Sequence, residues 1–272
     1  MRSAARGYVP QVLAVPAVLG LALLVVPLGA LVGRVEWATL WRDVTAPEAL
    51  SALALSLQTG VVATALCLVL GVPLALLIAR AGARTAAVLR AAVTVPLVLP
   101  PMVGGVALLF LFGRRGWLGP VLADLGIQIP FTTVAVVLAQ TFVALPFLVL
   151  ALEGALRSTG VGYEQAAAAL GAGRWRILWR VTLPLALPGL VAGTVLCFAR
   201  AVGEFGATAL FAGNAPGVTQ TMPLAIYTAF NGAGVSQGTA VALSLLLLVT
   251  ALAVLLLVRA WRPGGPSAEV PR

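Results

Sequence analysis

The stretch CFARAVGEFGAT, residues 197–208, contains two side chains of opposite charge in otherwise apolar surroundings. Arg200 and Glu204 are the only charged residues among the 78 positions from 181 to 258. Residues four apart share one face of a helix, so a guanidinium–carboxylate ion pair is expected. Because an ionisable residue in an apolar segment is costly, the pair is a candidate functional site.

Three interpretations of this pair remain open from the residues alone. Arg200 can extend toward the membrane surface and be neutralised by Glu204. The pair can instead bond to neighbouring helices or a partner subunit and hold a gate. In the third interpretation Arg200 attracts an anion directly, although the adjacent Glu204 weakens its positive potential. Gly203 and Gly206 flank the carboxylate, so the helix is expected to end or loosen there.

The composition places the pair in a membrane protein. The chain is 61% hydrophobic and 9% charged, whereas soluble domains carry about 25% charged residues. All 17 basic residues are Arg and are spread between apolar runs. They therefore set membrane topology rather than form a face for nucleic acid, and membrane lipid is the expected surrounding. With no His and only two Cys, no metal site is expected.

The apolar runs predict an all-α, polytopic protein with six spanning helices. Their expected bounds are 10–33, 51–79, 88–112, 131–152, 185–209 and 238–258. The third run contains Pro96, Pro100, Pro101, Gly104 and Gly105. Adjacent prolines remove backbone donors and kink or break a helix, and broken backbone within a membrane must be covered by protein or line a water-filled cavity. This run is either a pathway-lining element or a simple structural kink.

The distribution of Arg predicts the orientation. With a cytoplasmic N-terminus, 12 of the 17 Arg residues fall in inner segments and four in outer segments, with Arg200 left over. Both termini are therefore expected in the cytoplasm: residues 1–9 as the N-terminus, 10–258 as the transmembrane domain and 259–272 as a tail. The first apolar run is interpreted as a retained span rather than a cleaved signal peptide, because it is too long.

The inner segment 153–184 has a pattern of its own. Residues 163–170 are Ala-rich and predict a compact helix, and Gly171 suits the turn after it. A second short helix is expected over 174–182, where Trp175 and Trp179 form an aromatic ridge. Small residues beside Trp and Arg suit a protein-docking surface. An amphipathic helix lying on the membrane is the alternative.

This segment resembles the EAA motif of ABC-importer permeases, which is Glu-Ala-Ala, three residues, Gly, nine residues and Ile-x-Leu-Pro. Gln165, Ala166 and Ala167 precede Gly171 at the required spacing, and 181–184 close the motif as Val-Thr-Leu-Pro. Gln165 stands where the family has Glu, with Glu164 one residue earlier, and Val replaces Ile. The resemblance implies docking of this loop into a partner ATPase. The implied coupling residues are Glu164, Gln165, Ala166, Ala167, Gly171, Arg174, Trp175, Leu183 and Pro184.

Within these permeases, four stretches are most similar to the molybdate permease family: PLVLPPMVGG, GRRGWLG, FARAVGEFGAT and GNAPGVTQTMPLAIYT. The resemblance implies the all-α, six-span, binding-protein-dependent ABC permease (MetI-like) fold in a bacterial inner membrane. It also implies a homodimer that works with two ATPase subunits and an extracytoplasmic oxyanion-binding protein. The expected pathway or gate residues are Arg200, Glu204, Gly203, Pro100, Pro101 and Gly104.

The chain contains no catalytic centre, because a phosphate-binding GxxxxGK[ST] loop needs Lys and the sequence has none. ATP and Mg are therefore expected on a separate ATPase subunit, with no cofactor bound by this chain. The predicted function is passage of an oxyanion, molybdate first, from the binding protein to the cytoplasm. The alternatives are a sulfate, thiosulfate or tungstate permease and, from other classes, an ion-driven secondary carrier or a membrane scaffold without a transport role.

Overall fold

The computed structural model describes residues 11–232 and 237–260, and this part of the chain is helical throughout with no strand. A 3₁₀ turn at Gln11–Leu13 precedes the first α-helix, and a π-helical turn at Leu178–Thr182 joins two others. The α-helices are α1 (Ala14–Gly33), α2 (Trp37–Val44), α3 (Pro47–Arg80), α4 (Ala83–Val98), α5 (Pro101–Phe112), α6 (Gly119–Asp124), α7 (Thr133–Thr159), α8 (Gly162–Ala169), α9 (Arg174–Ile177), α10 (Leu183–Val202), α11 (Gly206–Phe211), α12 (Met222–Phe230) and α13 (Gln237–Ala260).

Four helical segments in the described ranges are long and apolar enough to cross a membrane: α1, α3, α7 and Arg174–Val202. The pair α4 and α5 passes the same test only when taken together. Helix α13 is 24 residues long and apolar along most of its length. The expectation of a polytopic all-α protein is confirmed, whereas the count of six spans stays a prediction.

Two predicted spans are interrupted. The third, expected over 88–112, is divided into α4 and α5 with a bend of 111° between them. Pro100 and Pro101 stand at the start of α5, where a missing N–H leaves no helical bond unmade. The fifth span, expected over 185–209, ends at Val202 and resumes as the short helix α11 at Gly206. The structure shows the predicted loosening at Gly203 and Gly206, within the bounds expected for the fifth span.

The fourth predicted span continues as helix into the inner segment, whose bounds 153–184 stay a prediction. Helix α7 runs past residue 152 to Thr159, just before Gly160, which has a positive φ of 70°. Glu153 and Arg157 pair across one turn of this part of the helix at 2.6 Å. The predicted N-terminal segment 1–9 and most of the tail 259–272 lie outside the described residues.

The core is built from α3, α7 and α10. Helices α3 and α7 are parallel, since Cys67 contacts Thr141 near one end of the pair and Ile78 contacts Arg157 near the other. Helix α10 is antiparallel to α7, with Gly189 against Ala155 and Gly193 against Ala151. Small residues at these contacts allow close backbone approach, which favours helix association where the apolar solvent gives no hydrophobic driving force.

The contact between α7 and α10 yields a stability prediction. A Cβ added at Gly189 would overlap the Cβ of Ala155, so Gly189→Ala is expected to lower the free energy of unfolding by about 1–3 kcal/mol. Gly154→Ala on the facing helix is the matched control, since its Cβ meets nothing within 4 Å and replacing a helical Gly gains up to about 1 kcal/mol. Thermal unfolding in detergent measures both, and equal melting temperatures would contradict this packing.

Candidate functional site

The inner segment forms the two short helices that the sequence predicts. Helix α8 ends in a turn where Gly171 has a positive φ of 82°. The N–H of Gly171 bonds to the carbonyl of Ala168 at 2.9 Å, and that of Ala172 bonds to Ala167 at 3.1 Å. These two bonds make a Schellman motif, which requires a residue that tolerates the left-handed region. The backbone conformation of this turn therefore requires a glycine at position 171.

The carboxylate of Glu164 is bound within the chain. Its Oε1 lies 2.5 Å from Nη2 of Arg80, the last residue of α3. The same oxygen accepts a hydrogen bond of 2.8 Å from the hydroxyl of Thr182 in the π-helical turn. The neighbouring Gln165 is exposed. Glu164 therefore joins α8 to two other elements, and Gln165, at the motif's Glu position, faces outward.

The outer surface of this segment is apolar and uncovered. No residue of α8 is buried, and Tyr163, Leu170, Trp175 and Trp179 expose 65%, 89%, 74% and 64% of their surface. Large apolar side chains exposed in one short segment are typical of interaction sites. We define the coupling surface as these four residues with Ala166, all of which are exposed and so available to a protein or to lipid.

An open groove of about 370 Å³ lies beside α8. It is lined by three of the predicted coupling residues, Glu164, Gln165 and Arg174, together with Arg80 and Thr182. Leu183 and Pro184 start α10 directly after Thr182 in the chain, whereas Gly171 belongs to the turn. The predicted coupling residues thus occupy one end of the molecule.

The predicted pathway residues lie at the other end of α10. Arg200 Nη2 is 2.6 Å from Glu204 Oε2, and the side-chain exposures are 25% and 0%. Glu204 Oε1 accepts a 2.7 Å hydrogen bond from the N–H of Ala207. The carboxylate therefore neutralises Arg200 and satisfies an otherwise unpaired donor in the first turn of α11.

The two broken spans meet at this point. A Cβ on Gly105 of α5 would lie 2.8 Å from the carbonyl oxygen of Ala207. A Cβ on Gly206 would lie 3.1 Å from Pro101 Cβ, and Gly104 is in close contact with Phe142. Helices α5 and α11 pack backbone to backbone, so the structure brings Pro101 next to the segment that contains Glu204, whereas Gly104 contacts α7.

One cluster was missed by the sequence reasoning. Glu153 is 3% exposed and binds Arg90 at 2.5 Å and Arg157 at 2.6 Å. Arg157 also donates to the carbonyl of Ile78 at 3.3 Å. Glu153 precedes Arg157 by four residues, which is the favourable order for an ion pair on a helix. This pair could therefore have been predicted from the sequence. The contact with Arg90, 63 residues away, was not.

Comparison with known proteins identifies the family. The sequence profile described as "Binding-protein-dependent transport system inner membrane component" matches residues 71–264. The chain belongs to this family. The predicted ABC-importer permease is confirmed, and the long apolar helices agree with a multi-pass inner membrane protein. Such a component carries no ATPase site and works in a system with a binding protein.

Several permeases are similar in sequence to this chain over most of its length. The molybdenum transport system permease protein ModB of Mycobacterium tuberculosis is 51% identical, over 96% of this chain and 97% of that protein. ModB of Escherichia coli K12 is 43% identical over 77% and 91%. The sulfate transport system permease protein CysT of Escherichia coli K12 is 35% identical, covering 75% of each.

Solved structures support the fold of this family. A methionine ABC transporter, MetNI, in an inward-facing conformation matches with a TM-score of 0.60 and 24% identity, over 77% of this chain and 94% of that one. A bacterial alginate ABC transporter bound to its periplasmic protein matches with a TM-score of 0.69 and 17% identity, over 94% and 96%. At these identities the likeness concerns the fold alone.

The geometry around Glu204 predicts an order of stabilities. Glu204→Ala leaves Arg200 unpaired and the N–H of Ala207 without its acceptor, at an expected cost of about 3–5 kcal/mol. Glu204→Gln keeps an oxygen for that N–H, so its cost is expected to be smaller. Arg200→Gln combined with Glu204→Gln should recover part of the loss, because no unpaired charge remains.

Thermal unfolding of the purified protein checks this order. Glu48→Gln, at an exposed carboxylate in α3, is the control for removal of a negative charge. A double variant less stable than Glu204→Gln would contradict a pair whose main role is mutual neutralisation.

Proposed function

We propose that this chain is the membrane-spanning permease subunit of an ATP-driven importer that passes molybdate from an external binding protein into the cytoplasm. The observation that carries the choice of substrate is the 51% identity to a molybdenum permease over 96% of the chain. The sulfate permease is only 35% identical over 75%. Sulfate or thiosulfate is therefore the second candidate, and tungstate shares the chemistry of molybdate.

In the proposed assembly two copies of the chain form a homodimer around the pathway. Two ATPase subunits bind on the cytoplasmic side, and the binding protein docks on the outer side. ATP and Mg are bound by the ATPase subunits, since this chain has no Lys for a phosphate-binding loop. The chain itself is a transport subunit without catalytic chemistry.

The coupling segment is proposed to receive the movement of the ATPase. Its exposed apolar residues suit a protein cleft, and the Schellman turn at Gly171 holds α8 at a defined angle. Arg174 and Trp175 follow that turn, and Leu183 and Pro184 continue it into α10. A secondary carrier has no use for such a docking element, which argues against that class.

Both termini are proposed to be cytoplasmic. The predicted inner arginines Arg80, Arg90 and Arg157 lie together, through their contacts with Glu164, Glu153 and Ile78. One end of the bundle is thus rich in Arg, as the positive-inside rule expects of the cytoplasmic side.

The Arg200–Glu204 pair is proposed as a gate element of the pathway rather than a substrate site. Both carboxylate oxygens of Glu204 are engaged within the chain, so Arg200 presents little free positive charge. A low-affinity pathway is physically sensible, because a subunit supplied by a tight binding protein must release the anion readily. Gly203 and Gly104 would allow the adjoining backbone to move, whereas Pro100 and Pro101 would keep the break before α5 in place.

Transport by the reconstituted complex tests the substrate. Proteoliposomes containing this chain, its ATPase and its binding protein are expected to take up labelled molybdate only with hydrolysable ATP. Tungstate should inhibit the uptake of labelled molybdate more strongly than the same concentration of sulfate does, because tungstate matches molybdate in both size and charge. Strong sulfate competition without a preference for molybdate would reassign the substrate. Uptake driven by an ion gradient without ATP would instead point to a carrier.

The turn after α8 tests the coupling role. Gly171→Ala places a side chain at φ 82°, which costs about 1–3 kcal/mol of local strain and is expected to displace α8. Uptake should fall relative to wild type. Gly173→Ala is the matched control, because Gly173 has an ordinary φ of −68° and open space around its Cβ. Survival of uptake and ATPase coupling in both Gly171→Ala and the bulkier Gly171→Trp would refute docking at this loop.

A further inference from the structure

The ion pair between Arg80 and Glu164 is a contact between elements that are distant in sequence. The residues are 84 positions apart, whereas α8 is connected through short turns to α7 and α10. Side-chain exposures of 31% and 22% place the pair partly out of water. A charge-assisted bond in such a position is stronger than one on the open surface. Helix α8 therefore has a direct connection to α3 that does not follow the chain.

Helix α3 leads from this contact to the opposite end of the molecule. It is one continuous helix of 34 residues, about 50 Å long at 1.5 Å per residue. Along it, Gly71 packs against Leu145 and Leu148 of α7. Although Pro73 lies inside it, the helix is continuous past this residue, so a displacement at Arg80 would be carried along its axis.

The far part of α3 contacts the elements around the proposed gate. A Cβ on Gly60 would lie 2.7 Å from Cγ2 of Val202, the last residue of α10 before the break. The buried hydroxyl of Ser56 accepts a 2.7 Å hydrogen bond from the N–H of Met222, which begins α12. Movement of α3 would therefore act on the backbone next to Gly203 and on the start of α12.

We infer that Arg80 is a positioning residue for coupling, which ties α8 to α3 so that movement of the coupling segment reaches the Arg200–Glu204 region through α3. The inference rests on the proposed function and extends it from the docking loop to a specific route. Thr182, which bonds the same carboxylate oxygen, supplies the parallel branch into α10.

The test measures moles of molybdate transported per mole of ATP hydrolysed in the reconstituted complex. Arg80→Ala is expected to lower this ratio by about fivefold or more, in the range of coupling between distant sites, while the subunits still copurify. Arg80→Glu combined with Glu164→Arg should restore the ratio, which simple destabilisation would not do. Arg80→Lys, which keeps the charge, should be less affected than Arg80→Ala. Arg84→Ala is the matched control, since it removes an exposed Arg at the same end of the bundle.

The outcomes separate the two hypotheses. A wild-type complex that does not transport molybdate would refute the proposed function, but not the inferred role of the Arg80–Glu164 ion pair. With an active wild type, an unchanged ratio in Arg80→Ala overturns the inference, and the route then runs through α10 alone. If Arg80→Ala prevents assembly, the double variant decides: a ratio that stays low in an assembled charge-swapped complex also overturns it.

Discussion

The interior of a bilayer offers no water to bond with backbone groups or charges, and this constraint organises the whole fold. The long helices α3, α7 and α10 satisfy their own backbone and pack through small residues. Where the backbone is broken, between α4 and α5 and between α10 and α11, the broken segments cover one another. The buried carboxylate of Glu204 meets the same constraint, because one oxygen forms an ion pair with Arg200 and the other accepts a hydrogen bond from the backbone of α11.

At the other end of the bundle, the charged side chains neutralise one another and also join helices that are separate in the sequence. Glu153 joins α7 to α4 through Arg90, and Arg157 joins α7 to the end of α3 through Ile78. Glu164 joins α8 to the same end of α3. Helices α3, α4, α7 and α8 are thus connected by charged side chains at the end where the coupling surface lies. Helices connected in this way would move together when a partner protein displaces α8.

Much of this arrangement was predictable because it depends on local sequence. Apolar length predicted α1, α3 and α7, the prolines predicted the break before α5, and Gly171 predicted the end of α8. The exact extents of two helices were not predictable from apolar length alone. The fifth span stops at Val202, at the glycines where loosening was expected, and Glu204 accepts a hydrogen bond from the first turn of the new helix α11. Helix α7 runs past residue 152, the predicted end of the fourth span, to Thr159, and Glu153 and Arg157 pair in this added part.

By itself, the sequence determined the class of protein, the membrane environment and the position of the coupling motif, because hydrophobic length and glycine spacing act over a few turns of helix. Only the tertiary structure decided which charges meet. Glu164 could have faced a partner, yet its carboxylate is held by Arg80, 84 residues earlier. Pro101 and Gly206 are likewise distant in the chain and adjacent in space. Such contacts depend on how the helices pack side by side, and residue spacing along one helix contains no information about its neighbour.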